Sequence, residues 1–442
     1  MSSKWHLSKY NICAKIPEDD IWVIVNIYKR TCAPMTPAAL YALSELDALD
    51  EETPILQKLA KLGIITDMDE RAAVETTARM VAAFPKAVGL TICPTGGCNF
   101  DCPYCFEDHR PVKMSSETIG DVVTFAGKML DASGAKMLSV AWFGGEPLLA
   151  CDVIETLSQK LIEMCDKRDI KYDASIITNG YLLDQKTADM LARARVDMAQ
   201  ITLDGIGSTH DLTRHLAGGG PTFDRIIGNL RNVKLPFKVH IRHNLHTQNV
   251  GEKEKLRAFI NELASESGND LKYYGKEVGE NDAADRRGST IQTIGSDECA
   301  ITGIENDAAS FGKGFGKFCQ AHSLWSLGID AEGGLNKCWE IVDKPGDSFG
   351  NVKDWDPKNP IDTASNPDNL TKYLNTAGAL DDKECQECIW LPECRGGCPH
   401  IRHTRGKNCL SYKDDPESFV RAVYKVRKEL KEQKEKDTKE NS

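Results

Sequence analysis

Short apolar runs alternate with amphipathic runs through the middle of the chain, from about residue 86 to 275. The apolar runs have the length and the β-branched content of buried strands. They lie at 88–93, 138–143, 174–178, 198–203, 238–245 and 271–274. Between them, apolar residues recur at helical spacing, as at Ile154, Leu157 and Leu161, which predicts helices with one buried face. Alternating strands and helices predict a parallel sheet with right-handed crossovers.

The number of strand candidates limits the architecture. Six candidates favour a partial (β/α)6 barrel or an open sheet over a closed barrel, which has eight strands. In both architectures, ligands bind at the carboxyl ends of the strands. The sequence therefore predicts an α/β fold whose functional residues lie in the loops that follow the strands.

The N-terminal segment, 1–85, has a different pattern. The predicted elements are strands at 10–16 and 21–28, helices at 37–46 and 52–62, and a short apolar run at 63–66. Thr36 and Pro37 are residue types favoured at a helix N-cap and at the first helical position. Two strands followed by short helices predict a small winged-helix-like module. Such a module is either a structural cover for the next domain or a binding module.

The alternation stops after residue 275. Residues 276–318 are rich in glycine, aspartate and serine, and residues 319–409 contain seven cysteines but few long apolar runs. We expect such a segment to build little core of its own and to need metal ligation. An amphipathic run that includes Phe419 and Leu430 predicts a terminal helix, followed by a charged tail. The predicted domains are 1–85, 86–300, 301–415 and 416–442.

The composition of the chain limits the kinds of molecule that it is expected to bind. The chain has 442 residues and a formal net charge of −11, which disfavours nucleic acid because phosphate binding needs a basic surface. No run approaches the ~18 apolar residues of a membrane span, and the N-terminus lacks a signal pattern. We therefore expect a cytoplasmic protein without a membrane or nucleic-acid partner. In that compartment, the 16 cysteines are expected to be thiols or metal ligands.

Three cysteines directly follow the first predicted strand, at Cys98, Cys102 and Cys105. Structural zinc normally has four ligands. A four-iron cluster held by three cysteines instead leaves one iron open to a small molecule and can pass it an electron. A zinc site with a distant fourth ligand is the alternative, but the position after a strand favours catalysis. Cys93 is expected to be a buried thiol within the strand.

The chain resembles the radical S-adenosylmethionine (SAM) superfamily in this segment. The three cysteines match the family's CxxxCxxC motif, and an aromatic residue precedes the third one. Residues 144–147 match its GGEP element after the second strand, and further polar residues end the third and fourth strands. The cofactor-binding residues that the resemblance implies are Tyr104, Gly144, Gly145, Glu146, Pro147, Thr178, Asn179 and Asp204.

The resemblance also implies a chemistry. The carbonyl groups of Gly144 and Gly145 and the Glu146 carboxylate would accept hydrogen bonds from the SAM amino group, because glycine permits close backbone approach. Thr178, Asn179 and Asp204 would lie near the ribose and the substrate. One electron from the cluster would cleave SAM, and the 5′-deoxyadenosyl radical would abstract a hydrogen atom from a C–H bond.

The later cysteines have the short nested spacings of metal ligands. Zinc ribbons share such spacings, and seven ligands are one short of two complete sites. This array resembles the SPASM domain, which holds two auxiliary [4Fe–4S] clusters and would bring the total to three. The resemblance assigns Cys319, Cys338 and Cys398 to an inner cluster, and Cys385, Cys388, Cys394 and Cys409 to an outer cluster. The fourth inner ligand is expected to be a substrate thiolate, with Cys299 as the alternative.

The N-terminal segment, 1–85, resembles the leader-recognition element of peptide maturases, in which a leader peptide adds to a sheet edge. We expect strand 21–28 to offer that edge. The implied partners are a ribosomally made precursor peptide with a leader, and a flavodoxin or ferredoxin as electron donor. An open inner cluster favours thioether crosslinking of cysteine to carbon, since it would bind the cysteine thiolate.

Other reactions remain open. The alternatives are carbon–carbon crosslinking, epimerisation with Cys299 or Cys165 as hydrogen-atom donor, and anaerobic sulfatase maturation. Sulfatase-maturating enzymes carry an acidic residue directly after the second cysteine of the auxiliary domain. Sulfatase maturation is disfavoured because Trp339 follows Cys338 at that position. A non-enzymatic iron–sulfur scaffold or electron carrier would explain the cysteines but not residues 144–147. No catalytic residue is assigned.

Several polar residues near the strand ends have no assigned role. His210, Asp211 and Arg214 follow the fourth strand and either face the site or lie in solvent. Arg242, in the fifth strand, is a candidate partner of the SAM carboxylate or of a structural carboxylate.

Overall fold

The computed structural model describes residues 4–50, 52–278, 291–312, 319–375 and 379–440. Parts of the region 276–318 and the end of the charged tail lie outside these ranges. The chain divides into two compact units. Unit 1 comprises Met1–Met80, Ser296–Cys319 and Thr376–Ser442, and unit 2 comprises Val81–Gly295 and Gln320–Asn375. No helix in the described ranges is long and apolar enough to cross a membrane.

The bounds of the regular elements follow in chain order. The strands are β1 (His6–Leu7), β2 (Asn11–Ile16), β3 (Ile21–Asn26), β4 (Thr31–Pro34), β5 (Ile65–Thr66), β6 (Val88–Ile92), β7 (Met137–Trp142), β8 (Lys171–Thr178), β9 (Val196–Thr202), β10 (Lys238–Leu245), β11 (Leu271–Glu277), β12 (Ser326–Ile329), β13 (Gly334–Asn336) and β14 (Gly350–Asn351). The helices are α1 (Pro37–Ser44), α2 (Pro54–Leu62), α3 (Glu70–Ala83), α4 (Ser116–Ser133), α5 (Cys151–Lys167), α6 (Gln185–Arg193), α7 (Ser208–Asp211), α8 (Phe223–Asn232), α9 (Lys253–Ser267), α10 (Ser296–Ser310), α11 (Pro367–Asn375), α12 (Lys383–Glu387), α13 (Leu391–Cys394), α14 (Pro399–Arg405) and α15 (Pro416–Glu440).

Unit 2 is built on one nine-stranded sheet, in the order β11-β10-β9-β8-β7-β6-β12-β13-β14. The six predicted apolar runs correspond to β6 through β11, and each of these strands pairs in parallel with the next one in the chain. The predicted α/β fold with a mostly parallel sheet is therefore confirmed. Because the strands are parallel, the loops that follow them all leave from one edge of the sheet.

The helices of unit 2 cover the sheet, and local signals set their ends. Ser115 caps α4 by accepting a hydrogen bond from the Thr118 backbone N–H, and the helix ends at Gly134 with φ +68°. Its apolar face, which includes Val122 and Phe125, is buried in the main core. The same cap geometry starts α6 at Asp184.

The expectation that residues 319–409 build little core is wrong for their first part. Strand β12 pairs in parallel with β6, and β13 and β14 extend the sheet in antiparallel fashion. Leu327, Ile329, Leu335, Phe349 and Trp355 all belong to the main core. The strand β12 is too short to show periodicity, and its pairing with β6, which lies far away in the sequence, places it in the sheet.

Unit 1 contains an antiparallel sheet of order β2-β3-β4 and a two-stranded pair, β1-β5. The Thr36 cap of α1 is confirmed, since its side chain accepts from the Ala39 N–H at 3.2 Å. The expectation that strand 21–28 is an edge is wrong, because β3 pairs on both sides. The missed strand β4 contains Cys32, Ala33 and Pro34, which carry a weak strand signal. The winged-helix assignment stays a prediction.

Candidate active site

The loop after β6 carries Cys98, Cys102 and Cys105 and is closed at its base by backbone hydrogen bonds. The Gly96 N–H donates to the Val112 carbonyl at 3.1 Å, and the Met114 N–H donates to the Pro94 carbonyl at 2.9 Å. We call residues 94–114 the cysteine loop. Cys102 is 6% exposed within the core, and Cys98 and Cys105 pack against the same core. Cys93 is fully buried, as predicted.

The three thiols of the cysteine loop influence one another. Burial raises the pKa of Cys98, with further contributions from Glu146 and from the other two thiols. Burial, reinforced by Cys102, raises the pKa of Cys105 to about 12. Metal binding has to displace these protons. In the described part of the chain, no three His, Cys, Asp or Glu side chains are arranged to hold a single metal ion. Three neighbouring thiols are nevertheless the soft donor set that an iron–sulfur cluster takes.

The two glycines after β7 are required by the cysteine loop itself. A Cβ on Gly145 would lie 2.4 Å from the Gly97 carbonyl oxygen and 2.5 Å from that of Gly96. Gly144 adopts φ +105°, a region that L side chains rarely occupy. The Glu146 N–H donates to the Gly97 carbonyl at 2.9 Å. The glycine pair thus lets the end of β7 contact the cysteine loop backbone.

Glu146 joins the ends of two neighbouring strands. Its carboxylate is fully buried and accepts from the Thr178 hydroxyl at 2.6 Å, the Asn179 N–H at 2.7 Å and the Leu148 N–H at 3.0 Å. Burial raises its pKa, while these hydrogen bonds oppose the rise. The contacts fix the loop after β7 against the loop after β8. Its implied contact with the SAM amino group stays a prediction.

The end of β8 is bonded to the cysteine loop in turn. The Asn179 side-chain amide donates to the Asn99 side-chain carbonyl at 2.8 Å. Pro147 begins a short 3-10 helix, Pro147–Ala150, that leads into α5. The structure thus brings the predicted residues Glu146, Thr178 and Asn179 together beside the cysteine loop.

Tyr104 and Asp204 are bonded directly, although they lie far apart in the sequence. The Tyr104 hydroxyl donates to Asp204 Oδ2 and accepts from Arg214 Nη1 at 2.9 Å and from Asn244 Nδ2 at 3.2 Å. Asp204 Oδ2 also accepts from the Thr213 hydroxyl at 2.7 Å. Asp204 Oδ1 is buried and has no hydrogen-bond partner among the described residues. It offers an acceptor to a bound molecule.

The structure decides between the alternatives left for the residues after the fourth strand. His210 and Arg214 are buried, not solvated. Asp211 accepts from the Thr222 and Phe223 N–H groups, at 2.7 and 2.9 Å, and so starts α8. Asp211 therefore has a structural role.

Sequence reasoning missed Asn244 and Asn99. Arg242 contacts the site through Asn244, since its Nε donates to the Asn244 side-chain oxygen at 2.7 Å. The one available signal for Asn244 was an asparagine near the carboxyl end of a predicted strand.

The later cysteines form a second group of thiols in unit 1. One pocket there is lined by Cys385, Cys388, Cys394 and Cys409, the four residues predicted to hold the outer cluster. Arg402, Lys407 and Lys413 also line it. The segment is held by tight turns, such as the Cys388 N–H donating to the Cys385 carbonyl at 3.1 Å. The thiols of the outer set thus surround a single cavity, and their ligand role stays a prediction.

The predicted inner set does not fall within one unit. Cys319 and Cys398 belong to unit 1, whereas Cys338 belongs to unit 2. Their assignment to a common cluster, and the role of Cys299, stay predictions. Cys165 is buried in the core on α5, so it is not exposed to a substrate.

Comparison with known proteins gives matches to both the sequence and the fold. Residues 92–260 match the model of the Radical SAM superfamily. The chain is 25% identical over 357 residues to the cysteine-type anaerobic sulfatase-maturating enzyme of Clostridium perfringens, and the match covers 72% of this chain and 92% of that enzyme.

Two solved structures share the fold. Native anSMEcpe with bound AdoMet and Cp18Cys peptide is similar with a TM-score of 0.60 at 19% identity, over 77% of this chain and 98% of that one. Streptococcus suis SuiB bound to precursor peptide SuiA is similar with a TM-score of 0.50 at 14% identity, over 92% of this chain and 97% of that one.

Proposed function

The chain carries a radical SAM domain, as its cysteine motif predicted, and from this premise we propose that it is an enzyme that modifies a peptide by radical chemistry. Enzymes of this superfamily use SAM and a [4Fe–4S] cluster. The observation that carries the proposal is the bonding of the cysteine loop to the ends of β7 and β8 through Glu146 and Asn179. When bound, the cluster supplies the electron that cleaves SAM and so starts hydrogen-atom abstraction.

The chain's own residues have distinct tasks in this proposal. Cys98, Cys102 and Cys105 hold the cluster as thiolates. Glu146, fully buried, keeps the two strand ends and the cysteine loop in one arrangement. Asp204 Oδ1 accepts a hydrogen bond from the cofactor or the substrate, because a buried carboxylate oxygen without a partner is costly. The buried surroundings exclude water, which protects a radical from side reactions.

The pocket in unit 1 supports a second cluster. Four thiols around one cavity, in a segment of short turns, are the ligands and the setting of a structural or electron-transfer metal centre. We assign Cys385, Cys388, Cys394 and Cys409 to this cluster, and Cys319, Cys338 and Cys398 to a third cluster with an open iron. A flavodoxin or ferredoxin supplies electrons as the low-potential donor.

A precursor peptide is the proposed substrate, and a thioether is the proposed product. Support for a peptide comes from two similar structures, which hold the Cp18Cys peptide and the precursor peptide SuiA. Seven auxiliary cysteines, one fewer than two complete sites need, leave an iron for the thiolate of the substrate cysteine. That arrangement favours closing a bond between sulfur and carbon.

The first test is anaerobic incubation of the iron-loaded chain with SAM and dithionite. The enzyme should yield 5′-deoxyadenosine, and a Cys98→Ala, Cys102→Ala variant should yield none. An electron carrier would also yield none. If the wild-type chain forms no 5′-deoxyadenosine, the proposal that it is a radical SAM enzyme is therefore wrong.

The second test is co-expression with a cysteine-containing precursor and mass spectrometry of the product. A thioether makes the product lighter by two hydrogens per link and removes one alkylatable thiol. A Cys→Ser precursor is the matched control and should remain unmodified. A product that keeps its thiols and its mass defeats the thioether assignment, but not the radical chemistry of the first test.

Sulfatase maturation is the second candidate. It is favoured by the match to the cysteine-type anaerobic sulfatase-maturating enzyme, which extends over 92% of that enzyme. The presence of Trp339 directly after Cys338 argues against it. A peptide copied from a sulfatase active site distinguishes the two. Oxidation of its cysteine without a crosslink, together with inactivity on the precursor, would favour this candidate.

A further inference from the structure

The segment that follows β9 is attached to the cysteine loop by its backbone. The Asp101 N–H donates to the His215 carbonyl at 3.1 Å, and the Ala217 N–H donates to the Asn99 carbonyl at 2.9 Å. These two hydrogen bonds form a short strand-like contact with the part of the loop between the first two cysteines. They hold Arg214, the residue before this contact, at a fixed position beside the loop.

The Arg214 side chain lies inside the protein. It is 9% exposed, and its Nη1 donates to the Tyr104 hydroxyl at 2.9 Å. Its guanidinium carbon is 5.8 Å from the centre of the Phe100 ring. Phe100 and Tyr104 occupy the two intervals of the cysteine motif, so the cation contacts both. Among the described residues, no carboxylate lies within ion-pair distance of this guanidinium, and its Nε has no hydrogen-bond partner.

The positive charge of Arg214 reaches the groups around it. It opposes the rise in the pKa of Glu146, which burial raises first. An arginine keeps its proton at every accessible pH. In a buried site the field of such a charge falls off slowly, because the effective dielectric constant is far below that of water.

We propose that Arg214 is a positioning residue that raises the reduction potential of the cluster held by Cys98, Cys102 and Cys105. The inference rests on the proposed function. Reduction transfers one electron from a low-potential one-electron donor to the cluster, which gains one negative charge and breaks no bond. A fixed cation beside the thiolates stabilises the reduced form more than the oxidised form. Local charge and hydrogen bonding are known determinants of iron–sulfur potentials.

Asp204 supplies a countertest, because it has the opposite charge in the same network. Its carboxylate is fully buried and shares the Tyr104 hydroxyl with Arg214. Removing its charge should therefore shift the potential in the opposite direction. Two shifts of opposite sign are not expected if these residues only maintain the shape of the loop.

The experiment is a reductive titration of the full-length, iron-loaded chain, followed by electron paramagnetic resonance without SAM or peptide. The first cluster is identified as the signal that disappears in the Cys98→Ala, Cys102→Ala variant. At the potential where the wild-type cluster is half reduced, Arg214→Gln should lower the reduced-to-oxidised ratio about tenfold, which equals 59 mV for a one-electron couple. Arg214→Lys, which keeps the charge, should stay within about threefold of wild type, and Asp204→Asn should raise the ratio.

The inference is overturned if Arg214→Gln leaves the ratio unchanged, or if Arg214→Lys lowers it as much. Iron and sulfide contents of all variants are measured first. If Arg214→Gln fails to hold the cluster, Arg214→Lys and Asp204→Asn decide, and an unchanged or lowered ratio in Asp204→Asn is then sufficient to reject the inference. A wild-type chain without the cluster defeats the proposed function as well. A wild-type chain with the cluster but no charge dependence defeats only this inference.

Discussion

The two cysteine-bearing regions are built in opposite ways. In unit 2, the cysteine loop is bonded on several sides by the ends of parallel strands, and Cys102 belongs to the main core. In unit 1, Cys385, Cys388 and Cys394 lie on and between the short helices α12 and α13, and Cys409 follows α14 and is exposed. Both regions offer thiols for a cluster, but the first is attached to a parallel sheet, whereas the second lies among short helices.

The aromatic core of unit 1 shows what the second region has instead of a sheet. Trp390, Tyr412 and Phe419 pack with ring centres 5.2 to 5.5 Å apart. Trp390 also lines the pocket with the cysteines. This aromatic core stabilises one side of the segment, and on the proposed function a metal bound by the thiols would stabilise the other. We therefore expect the first site to be preorganised, and the second, on the proposed function, to form together with its metal.

Removal of iron should produce the largest difference between the two cysteine-bearing regions. After chelation, we expect amide exchange in residues 382–410 to rise by about two orders of magnitude, because metal binding there is part of the folding free energy. The cysteine loop should change by less than about tenfold, since strand ends hold it. Hydrogen-exchange mass spectrometry measures both, with β6 as the internal control. An equal rise in amide exchange in the two regions would contradict this difference between them.

Gly145→Ala should break the scaffold of the first region without touching a thiol. The new Cβ would meet the carbonyl oxygens of Gly96 and Gly97, which are backbone atoms and cannot rotate away. We expect a loss of roughly 2–3 kcal/mol in the free energy of unfolding of unit 2. Urea unfolding of the iron-free chain measures it.

The matched control for Gly145→Ala is Gly120→Ala in α4. A Cβ at Gly120 has no atom within 4 Å. Alanine is the better helix former, so this variant should gain about 0.5–1 kcal/mol. Both variants are measured in the same way. If Gly145→Ala lowers the free energy of unfolding by less than roughly 0.5 kcal/mol, the backbone of the cysteine loop can move aside at little cost.

Acidification should weaken unit 2 before it affects the ion pairs of unit 1. Burial lowers the pKa of His210 to about 4, from an ordinary value of 6.5. The unfolded chain then binds more protons between these values, so stability is full above about pH 6.5 and is lost as pH falls to about 4, by roughly 3 kcal/mol. The pKa of Asp382 is lowered to about 2, mainly by Lys407, so its contribution declines only below about pH 4.

Urea unfolding between pH 7 and 4.5 tests this order. The His210→Gln variant is the control and should show a flatter pH dependence than wild type in unit 2. His243, whose pKa burial also lowers to about 4, should account for the acid sensitivity that remains. A pH dependence that is unchanged in His210→Gln would refute the assignment.

Substitutions of Asp382 should have the smallest effect and can sharpen the description of unit 1. Its carboxylate caps α12 by accepting from the Glu384 and Cys385 N–H groups, and it pairs with Arg402 and Lys407. Asp382→Asn keeps an oxygen for the cap and should cost at most about 1 kcal/mol. Asp382→Ala also removes the cap and should cost about 1 kcal/mol more. Thermal unfolding of the iron-loaded chain measures the stability of both variants. An equal loss of stability in the two would show that the cap does not stabilise α12.

The strongest local patterns predicted most of the fold and part of the site. The six parallel strands β6 to β11 and the Thr36 cap follow from residues close together in the chain. Strands β4 and β12 were missed because each is very short, and the pairing partner, not the composition, determines such a strand. Because β4 was missed, β3 was expected to be an edge strand.

The sequence by itself determined the spacing of the cysteines and the order of the polar residues at successive strand ends, because both are written in short stretches of chain. Only the tertiary structure decided where those residues point. It buried Arg214 against Tyr104, bonded Tyr104 to Asp204 and Asn244, and used Glu146 to join two strands. Buried polar groups must find partners wherever the fold provides them. Those partners come from distant parts of the chain, and no local pattern records them.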